Sequence, residues 1–159
     1  AGLRIPSHWD GLSVADNLRS RSDGGRDHLI LSQGAWSCQR SVRWEDYLYL
    51  RTWHDGFHGH WEDEMMFNVA TDPHEQTDIF GSSPDVANMG RGLLEAWTEE
   101  QLERSYSSLD PMQIVLNEGG PFHTRGHLPR YLERLEGTGR AHWAQVLRER
   151  HPREAVEVY

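Results

Sequence analysis

Four short stretches in the first 80 residues have the alternating, aromatic-rich and β-branched character of strands. We predict strands at residues 28–33, 39–44, 47–53 and 64–69. Glu45 and Asp46 form the turn between the second and third strands, and Pro73 closes the segment after the fourth because it cannot donate to a ladder. The pattern therefore predicts a small antiparallel sheet of about four strands.

Beyond Phe80 the apolar positions recur at a helical period instead. The tripeptide Ser83-Pro84-Asp85 is typical of a helix start, with a hydroxyl cap, Pro at the first helical position and an acid in the first turn. The apolar residues that then recur on one helical face are Val86, Met89, Leu93, Leu94, Trp97 and Leu102. One long helix is thus predicted to pack on the sheet.

The last third of the chain is helical in pattern. Asp110-Pro111 begins a helix that stops at Gly119, amphipathic segments follow at residues 128–136 and 138–150, and the tail from Pro152 is expected to be loose. Because strands come first and helices after, the fold class is α+β. We expect residues 1–104 to form the sheet and its packed helix, and residues 105–159 to form a helical C-terminal extension on the same domain.

The amino-acid composition and net charge exclude several classes of function. The 159 residues suit one domain, and 25 acidic against 16 basic residues, all of them Arg, give a net charge of -9. Such a balance argues against nucleic acid or an anionic membrane as partner, and no apolar run is long enough to span a bilayer. The absence of Lys excludes a phosphate-binding loop of the Gly-Lys type and a Schiff base. With no signal-peptide pattern, the chain alone favours a cytoplasmic location over secretion.

Candidate chemistry concentrates in a His-rich segment. His54, Asp55, His58 and His60 lie within seven residues that also contain two Gly. Three interpretations stay open: a solvated hairpin tip, a loop that faces a ligand, and a metal site in which His58 and His60 share a strand face with His54 or Asp55.

Two further candidates are weaker. Arg125, flanked by His123 and His127, has the chemistry to receive a sulfate or carboxylate, although an ordinary interhelical loop would look the same. Cys38 is the single Cys, so the chain has no internal disulfide; it is either a packed strand residue or a thiol whose pKa Arg40 lowers. Carboxylate groups such as Glu62-Asp63-Glu64 are expected to be solvated.

Three segments in order carry a family resemblance. Trp9-Asp10-Gly11-Leu12-Ser13 is similar to the D-G-x-S segment that follows the catalytic core in sulfatases. The segment at residues 40–51 resembles the R-x-V-R-x-x-x-Y-K-Y-I-R hairpin of that family, with Leu48 where Lys is usual, and the segment at residues 66–76 resembles its closing L-Y-D-L-x-x-D-P-x-E strand and turn. The resemblance covers roughly residues 4–80 and is expected to extend through the helix to Arg104, whereas residues 105–159 lie outside the broad family pattern.

The resemblance implies a C-terminal subdomain of a member of the alkaline phosphatase superfamily, built as a four-stranded antiparallel sheet with a packed helix. A missing N-terminal catalytic domain is then the partner, and it would hold the formylglycine and a divalent metal, Ca or Mg. Cys38-Gln39-Arg40-Ser41-Val42 does not fit the family's C-x-P-x-R motif, so no catalytic residue, metal ligand or cofactor is expected in this chain.

The function expected from this resemblance is hydrolysis of sulfate monoesters, or of phosphate or phosphonate monoesters, by the longer parent protein. The isolated chain is then inactive and is expected to self-associate through the face left exposed. We expect His54, Asp55, His58 and His60, with His123 and Arg125, to contribute to substrate binding. The alternatives are a self-standing α+β binding module without a catalytic parent and a small His-metal protein.

Overall fold

A computed structural model describes residue 6 and residues 9–21, 24–59 and 61–156. The strands are β1 (His28–Gln33), β2 (Cys38–Trp44), β3 (Tyr47–His54) and β4 (Glu64–Asn68). The helices are α1 (Ala15–Ser20), α2 (Pro84–Arg104), α3 (Pro111–Asn117), α4 (Leu128–Gly137) and α5 (Ala141–Arg150), and a 3₁₀ turn at Phe80–Ser82 precedes α2. The α+β class is confirmed.

The sheet is an antiparallel meander in the order β1-β2-β3-β4. All four predicted strands are present, and each bound lies within one residue of the expected one. Glu45 makes the tight turn between β2 and β3 with a positive φ of 42°. The hairpin register pairs Val42 with Tyr49, and a bulge between Cys38 and Gln39 brings Cys38 opposite His54 at the far end.

Helix α2 packs on one face of the sheet and forms the larger apolar core. The buried members of this core are Val42, Trp44, Tyr49 and Met66 from the strands and Ala87 and Leu94 from the helix. The expected helix face was wrong at Met89, which is 58% exposed. Gly90 explains the difference, since a Cβ there would lie 2.6 Å from Cβ of Tyr49. The helix therefore turns its small residues, Ala87 and Gly90, toward the sheet and lies close against it.

The opposite face of the sheet carries apolar side chains on β1, β3 and β4, whereas β2 contributes Gln39, Ser41 and Arg43 to it. By strand alternation its apolar side chains are Leu29, Leu31, Leu48, Leu50, Met65 and Phe67. None of the strand positions on this face is Asp or Glu, in a chain that has 25 of them. Leu29 is 44% exposed and Leu31 is 51% exposed, so water reaches this face at its β1 edge.

A second apolar core lies between α4 and α5. Its buried members are Leu128, Leu132, Leu135, Ala144 and Leu147, and Phe57 from the loop after β3 packs against them. A Cβ at Gly59 would lie 3.4 to 3.5 Å from side chains of α5. The His-rich loop after β3 therefore packs against the C-terminal helices. Whether residue 104 is a domain boundary stays a prediction.

Arg40 connects the sheet to the helical extension. Its guanidinium makes a two-pronged ion pair with Asp110, with N–O distances of 2.7 and 2.5 Å, and lies over the rings of Trp53 and Trp97. Asp110 also caps α3 by accepting from the backbone N–H of Met112. The hydrogen bond from Arg40, with this cap, holds the pKa of Asp110 below its ordinary value, so the pair stays charged.

Candidate functional site

The candidate site is built around His54, the last residue of β3, whose ring is buried with 7% of its area exposed. Gly120 leaves the space for this ring, and Gly56 lets the loop after β3 pass close to the backbone of Trp36. A Cβ on Gly120 would lie 2.5 Å from His54 Cδ2, and a Cβ on Gly56 would lie 1.9 Å from the carbonyl oxygen of Trp36. Both glycines have positive φ, 83° and 64°, so no other residue fits these positions without strain.

The hydrogen bonds of His54 define its tautomer. The backbone N–H of Gly56 donates to Nδ1 at 3.0 Å, so Nδ1 carries a lone pair. The proton of the neutral ring is therefore on Nε2, which donates to Oε2 of Glu154 at 3.4 Å. Glu154 lies in the turn after α5, so this contact joins the end of β3 to the end of the chain's last helix.

His151 lies between two carboxylates. Its Nε2 donates to Oδ1 of Asp55 at 2.8 Å, and its Nδ1 faces Oε1 of Glu154 at 3.7 Å. Burial acts to lower the pKa of His151, but the hydrogen bonds and negative charges of the two carboxylates overcome it and raise the pKa to about 9. The ring is therefore an imidazolium, with its centroid 4.8 Å from that of His54 at an interplanar angle of 33° and edge-on to Phe57.

The carboxylates keep their charge despite burial. Burial acts to raise the pKa of Glu154, but hydrogen bonds from His151 and His54, with the positive charge of His151, lower the pKa to about 2. Asp55 is 4% exposed, and His151 with the backbone N–H of Phe57 outweighs desolvation and lowers its pKa too. Arg150 adds a second cation, 3.4 Å from Oδ2 of Asp55, and also donates to the carbonyl oxygen of Trp61.

This cluster forms one wall of a cleft of about 840 Å³. The other walls come from the ends of β3 and β4 and the 3₁₀ turn, with Trp53, Trp61, Glu62, Asp63, Asp78 and Phe80 among the lining residues. Glu62 is 3.4 Å from Arg150, and Asp78 accepts from the backbone N–H groups of Met66 and Phe80. Most of the acidic groups in the cleft are thus already engaged within the protein.

The structure brings together only part of the predicted His site. His54 and Asp55 are buried in one network, whereas His58 is exposed with its ring 4.5 Å from Trp61, and His60 lies outside the described residues. Glu64, expected to be solvated, instead accepts from Tyr49 and pairs with Arg51 and Arg91. Participation of His54, Asp55, His58 and His60 in substrate binding stays a prediction.

The residues of the second predicted site contact other groups of the protein. His123 Nδ1 donates to the carbonyl oxygen of Ala35 at 3.0 Å, and its ring packs on Trp36. Arg125 donates to the carbonyl oxygen of Gly120 at 2.9 Å and lies 3.1 Å from Glu118. An anion at Arg125 would compete with Glu118, and anion binding by His123 and Arg125 stays a prediction.

Cys38 is fully buried, as the packed interpretation expected. Burial raises the pKa of its thiol, and the nearby positive charge of Arg125 opposes this incompletely. The hypothesis that Arg40 lowers this pKa was wrong, because the guanidinium of Arg40 is directed to Asp110. The thiol is therefore protonated and unreactive at neutral pH.

Sequence reasoning missed the C-terminal half of the cluster. The tail from Pro152 was expected to be loose, but Glu154 is bonded to both histidines and Ala155 packs against the second core. These residues lie about a hundred positions from His54, and nothing local marks His151 or Glu154 as its partners. Within the described ranges, the group of His and carboxylate side chains able to hold a metal ion is His54, His151 and Glu154.

Comparisons with known proteins add a limited result. No protein-family model matches the sequence, and no curated protein is significantly similar to it. A Bacteroides thetaiotaomicron chain, BT33336S-sulf, from work on a core genetic locus for the metabolism of multiple glycosaminoglycans, is 15% identical with a TM-score of 0.46 over 58% of this chain. The candidate sulfatase yidJ of Bacteroides fragilis is 17% identical with a TM-score of 0.47 over 68%.

This chain spans 21% and 22% of the lengths of those two proteins. Similarity at this level leaves the function to be argued from the residues themselves. Among the described residues, no helix is both long and apolar enough to cross a bilayer.

Proposed function

We propose that this chain is the C-terminal subdomain of a sulfatase-like hydrolase of sulfate monoesters, or of phosphate or phosphonate monoesters. Its catalytic domain, with the formylglycine and a Ca or Mg ion, would lie elsewhere in a longer polypeptide. The subdomain completes the fold and contributes to the substrate entrance. The chain by itself is inactive, because no residue in it matches the nucleophile motif of the family.

The fold of the chain supports this proposal, because it agrees with the fold that the sequence resemblance implied. Three motifs in the family order implied a four-stranded antiparallel sheet with a packed helix, and the chain folds as that sheet with α2 on one face. The second motif, at residues 40–51, overlaps β2 and β3, to which the resemblance assigned a hairpin. The third motif, at residues 66–76, overlaps β4, to which it assigned a closing strand.

The observation that carries the proposal is the second face of the sheet. It presents six apolar side chains and no carboxylate, with Arg43 as its charged residue. Phe67 on this face is buried, but Leu29 and Leu31 at the β1 edge are about half exposed. Apolar faces of this kind are normally covered, since each Å² of apolar surface removed from water contributes about 25 cal/mol. A catalytic domain of the same polypeptide would cover it.

A matched pair of variants tests the proposal. In the longest natural polypeptide that contains this sequence, Leu31→Asp places a charge on the covered face, whereas Leu18→Asp alters an exposed leucine of α1 away from the sheet. We expect Leu31→Asp to reduce soluble yield and sulfatase turnover several-fold and Leu18→Asp to change neither. Equal behaviour of the two variants would contradict the proposal.

The coding sequence upstream of Ala1 gives a second test. A C-x-P-x-R or S-x-P-x-R motif in the same reading frame is expected. A start codon directly beside Ala1, or turnover of an aryl sulfate by the isolated chain, would overturn the proposal and favour a self-standing binding module.

The role at the substrate entrance needs its own variant. His54 is bonded inside the protein, so its loss would disturb the fold. His58 is exposed and suits the test, and we expect His58→Ala in the full-length enzyme to raise KM for a sulfate ester with little change in kcat. Unchanged KM on several esters would remove His58 from the substrate entrance.

A further inference from the structure

We infer that His54, His151 and Glu154 form a binding site for a zinc-type divalent ion, with Nε2 of His54, Nδ1 of His151 and the Glu154 carboxylate as ligands. This site differs from the one that the His-rich segment suggested, because two of its ligands come from the end of the chain. It is also independent of the proposed function, whose metal would lie in another domain and would be a calcium or magnesium ion.

The spacing of the donor atoms fits such an ion. His54 Nε2 is 3.4 Å from Glu154 Oε2, and His151 Nδ1 is 3.7 Å from Glu154 Oε1. One ligand atom from each residue lies within 4.8 Å of the others. A tetrahedral zinc ion with bonds of about 2.0–2.1 Å holds its ligand atoms about 3.3 Å apart, so small side-chain movements complete the site.

Asp55 provides the outer support that zinc-binding histidines normally have. It accepts from Nε2 of His151 at 2.8 Å, which leaves Nδ1 as the nitrogen that faces Glu154. Asp55 is itself held by the backbone N–H of Phe57 at 2.8 Å and by Arg150 at 3.4 Å. A carboxylate that orients a histidine in this way fixes its tautomer and strengthens it as a ligand.

Two changes accompany binding of the ion: the imidazolium of His151 releases its Nδ1 proton to solvent, and one hydrogen bond of His54 breaks. In the metal-free chain the backbone N–H of Gly56 donates to Nδ1 of His54, and Nε2 carries the proton. An ion at Nε2 displaces that proton, and the neutral ring then holds its proton at Nδ1, where it opposes the Gly56 N–H. The amide of Gly56 therefore reports on metal binding from outside the ligand set.

The donor set selects the class of ion. Two imidazole nitrogens and one carboxylate suit Zn²⁺, Co²⁺ and Ni²⁺, whereas Ca²⁺ and Mg²⁺ prefer all-oxygen sites. All three side chains line the cleft of about 840 Å³, so an ion has a path to them and water can complete its coordination. Three protein ligands with an open position are the arrangement of reactive rather than purely structural zinc sites.

Calorimetric titration of the full chain with Zn²⁺ tests this site, after dialysis against a chelator. We expect one ion per chain, at least tenfold weaker binding in Glu154→Gln and His151→Gln, and about 10- to 100-fold weaker binding in Asp55→Asn. His142→Gln, at an exposed histidine of α5, and His58→Gln, in the loop, should leave the affinity unchanged. Circular dichroism establishes that each variant is folded, and Co²⁺ absorption gives a second readout in any variant of reduced stability.

Each possible result of the Zn²⁺ titration either supports or overturns the site. Stoichiometric binding with a shift of the Gly56 amide resonance, weakened by Glu154→Gln but not by His58→Gln or His142→Gln, supports the site. Absence of binding, equal weakening by the control variants, or equally tight binding of Ca²⁺ would overturn it. The sulfatase proposal is unaffected by either result, because it rests on the sheet and its second face.

Discussion

The two halves of this molecule are stabilised in different ways. The sheet and α2 are joined by an apolar core in which Tyr49 and Met66 are almost completely buried beneath Ala87, Gly90 and Leu94. The helices α4 and α5 have a smaller apolar core of their own and meet the end of β3 through charged groups: His54, Asp55, Arg150, His151 and Glu154. Apolar packing depends little on pH, whereas a network of ionised groups depends on it strongly.

The difference between the two halves indicates which part of the molecule is expected to hold a functional site. The local sequence pattern predicted the apolar half, which acts as a scaffold except at the β1 edge of the second face of the sheet, where Leu29 and Leu31 are exposed. The charged contact between the halves collects buried titratable groups beside a cleft, which is the environment where ligand and metal sites are found. Four experiments test this difference between the two halves.

The largest effect is expected at the buried ion pair that joins β2 of the sheet half to the start of α3. Asp110→Ala leaves the Arg40 guanidinium, whose side chain is 7% exposed, without its counter-ion and removes the cap of α3. Breaking a buried pair from one side costs about 3–5 kcal/mol. Urea unfolding should show this loss, while Asp16→Ala, in an exposed ion pair of α1, should change stability by less than about 0.5 kcal/mol. A small effect of Asp110→Ala would mean that Arg40 finds another partner.

The second largest loss of stability is expected from a substitution in the apolar core between the sheet and α2. Leu94→Ala should cost about 2–5 kcal/mol because the side chain is buried in that core. Met89→Ala, one turn away on the same helix, should cost less than about 1 kcal/mol because Met89 is exposed. Thermal denaturation of the two variants checks the orientation of α2, and similar losses for both would show that the helix packs as the sequence pattern first predicted.

The charged contact should make stability depend on pH. The pKa of His151 is raised from 6.5 to about 9, so its contribution is complete below pH 6.5 and disappears as the pH rises through about 9. The pKa of Glu154 is lowered from 4.5 to about 2, so its contribution is complete above pH 4.5 and disappears as the pH falls through about 2. The free energy of unfolding in a chelator should therefore decline between pH 6.5 and 9.

The control for this pH profile is His151→Gln, which keeps a hydrogen-bond donor but does not titrate. Its stability should be lower than that of the unmodified chain at pH 6.5, and the difference should shrink as the pH approaches 9. A decline of the same slope in both proteins would assign it to other groups. Hydrogen exchange should locate the loss in α5 and the turn after it, with β2 and β3 still protected.

The smallest effect on stability is expected at the β1 edge of the second face of the sheet, the face opposite α2. Leu31→Asp in the isolated chain should change the free energy of unfolding by less than about 1 kcal/mol, since half of the side chain already contacts water. It should nevertheless abolish self-association at high concentration, measured by sedimentation velocity. Leu18→Asp in α1 should not. A chain that is monomeric at every concentration would leave the face without a role in association.

Much of the fold could be predicted from the sequence. The strands and the long helix were located because alternation of apolar residues, the Glu45-Asp46 turn and the Ser83-Pro84-Asp85 start act within a few residues. The rotation of α2 was not predicted, because it depends on how closely Gly90 allows the helix to approach Tyr49, and only packing sets that distance. The pairing of Arg40 with Asp110, 70 positions apart, was not predicted for the same reason.

Local sequence patterns account for the α+β class, the order of the elements, the charge of -9 and the concentration of histidines at the end of β3. The tertiary structure decided which of those histidines matter together. It buried His54 beneath Gly120, exposed His58, and brought His151 and Glu154 from the end of the chain to within hydrogen-bonding reach of His54 and Asp55. The physical reason is that propensity and capping act over a few residues, whereas a buried charge must be paired with whatever residue the fold places beside it.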